Sequence, residues 1–311
     1  MAAVRPDDDG PPTVIKVGVF IVDIVKINEA TESFTADFAI TVRWTDPRLA
    51  AASRGSSLED CILRLDEVWH PGISIINQRL LRPRGPDIVK VDEQGNVEYQ
   101  QRYYGELSSP FELHDFPSDE QMLPFRLVSP YGPSEVVLKG DAETTGRAPD
   151  AAIAGWTLID VEDAPHLVRG EAFGREFTFT AFSLRAKRLF GYYLWKVFVP
   201  LTLIVAMASV VFWINPKDFG PQMGVSTASV FTLIAFMLSL NRLLPRISYL
   251  TDADKFILGS VVLVFLALAE SVTTSRLHQS DRGPLARRID LHARWIYWTV
   301  FALIVTTVVF T

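Results

Sequence analysis

Two hydrophobic rhythms divide the chain near residue 190. Before that point, apolar and polar residues alternate in short runs: Val14–Val25, Phe34–Trp44, Val97–Tyr103, Phe125–Leu127, Val136–Leu138 and Phe177–Leu184. Period-two alternation bounded by Gly, Pro, Asn and Asp predicts half-buried strands. Helical periodicity is weak there, and Ser57–Leu65 is expected to hold one short helix. Many strands without intervening helices predict an antiparallel β-sandwich over residues 1–190. Beyond it, the apolar runs Tyr192–Ile214, Pro221–Leu240, Phe256–Val272 and Trp295–Thr311 follow. A bilayer core of about 30 Å takes roughly 20 apolar residues as helix. Residues 191–311 therefore read as a four-helix transmembrane bundle with spans near 192–214, 221–243, 256–275 and 294–311.

The second run differs from the others because Ser226, Thr227, Ser229 and Thr232 interrupt its Val, Phe, Leu and Ile. Hydroxyls suit a helix that lines an aqueous path. They equally suit a helix whose hydroxyls bond back to its own carbonyls, and composition leaves both readings open.

Charge follows the same division. The chain carries a formal charge of −6, which combines an acidic head with a mildly basic remainder. Such a head concentrates cations and argues against nucleic-acid binding. Arg276, Arg282, Arg287, Arg288 and Arg294 crowd the segment between the third and fourth runs, against Asp281 and Asp290 alone. The positive-inside rule makes that segment cytoplasmic. Four spans then put the N-terminal domain, the Arg242–Lys255 linker and the C-terminus outside, as in a multi-pass protein of a cell inner membrane with a periplasmic head. The polar stretch Met1–Pro12 lacks the core of a secretory leader, so removal of a leader is expected. Cys61 is the sole cysteine, which excludes an intrachain disulfide. Glu270 is the one charge well inside a span and is expected to bond to a neighbouring helix.

No catalytic constellation emerges. There is no Gly-rich phosphate loop and no Gly-x-Ser-x-Gly elbow, and His70, His114, His166, His278 and His292 lack metal-ligand spacing. An enzyme is therefore a poor reading, and no cofactor or metal is expected.

Several motifs, in order, carry a resemblance. Trp44-Thr45-Asp46-Pro47-Arg48-Leu49, Trp69-His70-Pro71 with Asn77, and Phe116-Pro117-Ser118-Asp119-Glu120-Gln121 come first. Gly155-Trp156, Phe177–Arg188, Pro200 and Leu244-Pro245-Arg246-Ile247-Ser248-Tyr249-Leu250-Thr251 follow. The chain resembles a prokaryotic pentameric ligand-gated ion channel of the Cys-loop receptor superfamily. Ser118 departs from the usual Phe of the signature loop, and both flanking cysteines are missing, as in bacterial members.

The resemblance implies a homopentamer of identical subunits around an axial pore, embedded in membrane lipid and passing monovalent ions. In the family's register, counted back from Pro245, the pore-lining positions are Gly224, Ala228, Phe231, Ala235 and Leu238. Phe231 and Leu238 would form apolar rings that close by dewetting. The stripe Gln222, Ser226 and Ser229 is rotated away from that face by more than half a turn, so simple amphipathicity and the register disagree. Asp218, beside Lys217 at the inner mouth, and Gly220 are the candidate selectivity positions. The acidic head favours cations, whereas the Gly220-Pro221 step resembles that of anion-selective relatives and Arg242 works the same way.

By the same resemblance Glu29, Asp119, Arg188 and Pro245 couple the sandwich to the membrane part, with Asp119 and Arg188 as a partly buried ion pair. The agonist, a small molecule or a proton, would bind between neighbouring sandwiches. Tyr131 and Phe173 would stand on one side, and from the opposite subunit Arg102, Tyr104 and Glu106 share one strand face. Ile76 and Ala39 stand where an aromatic cage would need rings, which favours a small amphiphile, a carboxylate or proton sensing over a quaternary amine. His114, beside the signature loop, is a candidate pH sensor. The competing readings are a membrane-anchored β-sandwich binding protein and a transporter subunit, which should show inverted repeats.

Overall fold

The computed structural model describes residues 4–8, 10–50, 61–164, 170–172, 175–215, 217–240, 247–280 and 282–309. Contacts divide the chain into two units: Met1–Phe111 with Glu120–Lys187, and Glu112–Asp119 with Arg188–Thr311.

The first unit is built from strands. They are β1 (Thr13–Asn28), β2 (Ser33–Thr45), β3 (Cys61–Arg64), β4 (Ser74–Ile75), β5 (Gln78–Arg84), β6 (Ile88–Val91), β7 (Asn96–Ser108), β8 (Glu120–Ser129), β9 (Val136–Gly140), β10 (Gly146–Arg147), β11 (Trp156–Ala164), β12 (Gly170–Ala172) and β13 (Arg175–Arg188). One sheet runs β10-β1-β2-β7-β6-β3, with β5 also on β7 and β9 also on β1. The other runs β11-β13-β8-β4, with β12 on β13.

Alternation explains how the sheets face each other. Ile15, Val17, Val19 and Ile21 of β1 are fully buried, and the next buried apolar residue is Ile24, three positions on. A strict period of two would turn Ile24 outward. The β1–β2 register shifts between Ile21 and Asp23, and this bulge returns the apolar side chain to the core. From β2, Phe34 and Phe38 meet Phe125 of β8 edge-on at 5.5 and 4.8 Å. Phe125 stands opposite Phe182 of β13, and both are fully buried. These rings join the two sheets into a sandwich. Asn77 adds a polar stitch: its Nδ2 donates to Ser108 O (2.9 Å) and Pro124 O (2.8 Å), and its Oδ1 accepts from Arg126 N (3.1 Å). Gly105 (φ +151°) lies so close to the Leu80 carbonyl that any Cβ would overlap it.

The strands differ from expectation in three places. β1 pairs parallel, not antiparallel, with β9 and β10. Cys61–Arg64 is a strand against β6, so the part of the expected helix that is described is extended; Ser57–Asp60 lie outside the described residues. β5 was invisible to alternation because it hangs on β7 alone, is exposed nearly throughout and contains Pro83, so it has no apolar face to repeat.

The second unit contains α1 (Gly191–Trp213), α2 (Phe219–Leu240), α3 (Asp252–Gln279) and α4 (Gly283–Val309). Each is long and apolar enough to cross a bilayer. Pro200 cannot donate to a carbonyl one turn back, and the turn before it, Leu194–Phe198, is a π-helix. α3 packs on each of the other three. At Gly259 it comes so near α4 that a Cβ would meet Ile304 at 2.8 Å. The basic segment expected as a loop between the last two spans is largely helical, since α3 ends at Gln279 and α4 begins at Gly283.

Phe125→Ala is expected to lower stability by about 3–5 kcal/mol, because it empties a ring-sized volume between the sheets. Ile62→Thr, at a side chain 62% exposed, should stay within about 0.5 kcal/mol. Thermal unfolding of the full-length protein, followed by size-exclusion fluorescence, compares the two.

Candidate functional site

The segment Glu112–Asp119 holds the signature motif up to Asp119 and belongs by contacts to the helical unit. A helix leaves its first amides without intrahelical partners. At the start of α3 this segment supplies them. His114 O accepts from Asp252 N (3.0 Å), and Phe116 O accepts from Ala253 N (3.1 Å). Thr251 completes the cap. Its Oγ1 accepts from Asp254 N (3.1 Å), while Asp254 Oδ2 accepts from Thr251 N (3.0 Å). Tyr249 fastens the other edge of the segment. Its hydroxyl accepts from Leu113 N (3.0 Å), and its ring stacks on exposed His114 with centroids 4.2 Å apart.

Asp119 and Arg188 close the arrangement. Arg188 Nε and Nη2 donate to the two Asp119 carboxylate oxygens at 2.6 and 3.1 Å, and Arg188 N donates to Asp119 O at 3.1 Å. Only 4% and 2% of the two side chains is exposed. The Phe116 ring lies 4.9 Å from the guanidinium carbon and meets the Tyr193 ring at 4.8 Å. Two charges are thus removed from water, paired bidentately and walled by aromatic faces, the geometry that offsets their desolvation. The pair was expected to be partly buried; it is almost completely so. Glu29 occupies the 3-10 turn Glu29–Thr31 of the first unit, and Pro245 lies outside the described residues.

α2 sorts its residues cleanly. Gln222, Ser226, Ser229, Leu233 and Leu240 are buried, while Gly224, Ala228, Phe231, Ala235 and Leu238 are exposed. Phe231 and Leu238 are 67% and 69% exposed. The hydroxyl stripe that amphipathicity would point at water instead faces α3. Ser226 Oγ donates to Gln222 O (3.0 Å) and lies 3.1 Å from Ser271 Oγ. Ser275 Oγ donates to Gln222 Oε1 at 2.9 Å. Ser229 and Thr232 bond back to Val225 O and Ala228 O. Ser226, Ser229 and Thr232 thus bond to their own helix's carbonyls, while Thr227 and Thr232 are exposed. Asp218 and Gly220, at the start of the helix, are exposed.

In the sandwich, Arg102, Tyr104 and Glu106 line up on β7 amid other charges. Arg102 grips buried Asp37 through Nε (2.7 Å) and Nη2 (2.9 Å). The Arg84 guanidinium lies 4.5 Å from the Tyr104 ring centre, and Arg79 lies 3.6 Å from Glu106. Tyr131 belongs to a different cluster, where its hydroxyl accepts from Trp69 Nε1 at 3.1 Å and Trp69 meets Trp44 edge-on. Phe173 lies outside the described residues.

Tyr249, already part of the linker motif, together with Asp254, Ser271 and Ser275 completes these sites; the last three were not among the site residues read from the sequence. The spacing Thr251-x-x-Asp254 was a usable signal, because it is that of a capping box. The serines of α3 gave none, since an apolar helix with scattered hydroxyls does not reveal which face meets a partner.

Replacing Asp119 with Asn or Ala should cost about 3–5 kcal/mol, because Arg188 would stay buried without its counter-charge. Melting of the purified protein should show this; an unchanged midpoint would mean that water reaches the pair.

Two family models match the chain. The neurotransmitter-gated ion-channel ligand binding domain matches residues 1–154, and the neurotransmitter-gated ion-channel transmembrane region matches residues 197–289.

Proposed function

Because the chain belongs to the neurotransmitter-gated ion-channel family, and so is a ligand-gated, non-enzymatic membrane channel subunit, we propose that five copies enclose a pore lined by α2. One observation carries this reading. The face Gly224, Ala228, Phe231, Ala235 and Leu238 is left exposed by a subunit that buries every serine of the opposite stripe. A helix that turns Ser226 and Ser229 inward and whose exposed face carries small residues near its start, with bulky apolar ones after them, suits a passage wide at one end and gated by dewetting at the other. In a pentamer the exposed face meets the axis, while the remaining exposed apolar residues meet neighbours or lipid.

Cation selectivity is the favoured reading. Asp218 is exposed beside the start of α2, and a ring of such carboxylates would attract cations, helped by the acidic head. Exposed Lys217 beside it supports the anion alternative. Opening would begin with a small amphiphile, carboxylate or proton acting on the sandwich, in a site to which Arg102, Tyr104, Glu106, Tyr131 and Phe173 contribute. The paired state of Arg102 favours an anionic ligand that competes with Asp37. The buried pair Asp119–Arg188, with Glu29 and Pro245, would carry the signal. Its loss is large enough to shift a two-state gating equilibrium by orders of magnitude.

Cysteine substitution along α2 gives the sharpest test. Thiol reagents applied to open channels in planar bilayers should block variants at Gly224, Ala228, Phe231, Ala235 and Leu238 and spare those at Ser226 and Ser229. The reverse pattern would refute the proposed register. For selectivity, Asp218→Asn should move the reversal potential in a salt gradient toward the anion limit. A wild-type reversal potential already at that limit would instead establish the anion reading.

A further inference from the structure

One pair of side chains in the helical unit has no part in conduction as proposed. The carboxyl groups of Glu270 on α3 and Asp290 on α4 lie within hydrogen-bonding reach of each other. Asp290 is only 3% exposed. Both Glu270 oxygens and Asp290 Oδ1 are buried, and none of the three receives a hydrogen bond from an N–H or O–H group among the described residues. An apolar cavity of about 450 Å³, lined by Phe212, Leu263, Leu266, Ile296 and Val300, flanks Glu270.

The nearby charges do not settle this pair. Arg294 attracts Asp290, yet its Nε donates to Phe212 O at 2.9 Å and its guanidinium covers the Trp213 ring at 4.1 Å. Arg288 and His292 of α4 line the cavity, and the His292 ring is hydrogen-bonded to Arg288 O. Tyr297 spends its hydroxyl proton on Val205 O. Val199–Trp213 of α1 and all of α2 carry no ionisable side chain. Two carboxylates this close in apolar surroundings repel strongly and cannot both stay ionised without something between them. A metal ion would need further ligands, and no third His, Cys, Asp or Glu joins them among the described residues.

We propose that Glu270 and Asp290 form a proton-binding site between α3 and α4, in which one acid donates its O–H to the other's carboxylate and so ties α4 to α3. Binding takes one proton from water; release returns it and leaves two facing anions, which push the helices apart. The site is independent of which helix lines the pore, and its readouts require no current.

The test uses the full-length protein in lipid nanodiscs. Infrared spectra at neutral pH should contain the carbonyl band of a protonated carboxylic acid, and both Glu270→Gln and Asp290→Asn should remove it. The folded state binds the proton that the unfolded chain has lost at neutral pH, so the wild-type melting temperature should fall as pH is raised. In Glu270→Gln, whose amide donates at every pH, at least half of that fall should vanish. If one variant does not fold, the other serves. A band that survives in both variants, or equal pH slopes in variant and wild type, overturns the proposal. So does a wild-type spectrum without the band whose melting temperature follows sodium or potassium instead.

Discussion

The Asp119–Arg188 pair is the constraint around which the helical unit is organised at its loop-bearing end. Two charges with only a few per cent exposure demand fixed geometry, because each is costly without the other. Holding Asp119 in place also holds the preceding segment. That segment offers two carbonyls to the unsatisfied amides of α3 and a backbone N–H to Tyr249. An electrostatic requirement and a backbone requirement are thereby met by the same eight residues, although they come from a distant part of the sequence. Asp119 thus holds Arg188, the last residue of β13, while the segment that ends in Asp119 caps α3.

Within the membrane part, α3 takes the integrating role. It touches α1, α2 and α4, and its buried positions alternate bulky apolar residues with Ser260, Ser271, Thr274 and Ser275. Without a hydrophobic drive between helices in lipid, association rests on close packing and on hydrogen bonds between small polar groups. Gly259 supplies the first against Ile304. Ser271 and Ser275 supply the second against Ser226 and Gln222.

Much of this organisation was legible in the sequence. The switch from period-two alternation to long apolar runs marked the change from sheet to membrane helix. Phe34, Phe38, Phe125 and Phe182 could be read as core because they recur on one strand face. The motif around Asp119 and the strand end at Arg188 pointed to the ion pair, whose depth exceeded expectation. What escaped has physical reasons. Edge strands such as β5 bury no face and so leave no pattern. The parallel pairing of β1 depends on where later turns return the chain, which local periodicity does not encode. The hydroxyls of α2 left two readings open in the sequence because in a bilayer a serine can be satisfied by its own helix, by the next one or by water, and composition does not say which.

Between Phe219 and Leu240 the sequence contains no ionisable side chain. Over 22 residues, or about 33 Å at 1.5 Å per residue, a solute moving through the proposed pore would meet only fixed dipoles and apolar surface. Acidity of the medium therefore has no lever inside that stretch. In the proposed pore, discrimination by sign would fall to the ends of the helix, and passage through the middle would be a matter of width and wetting.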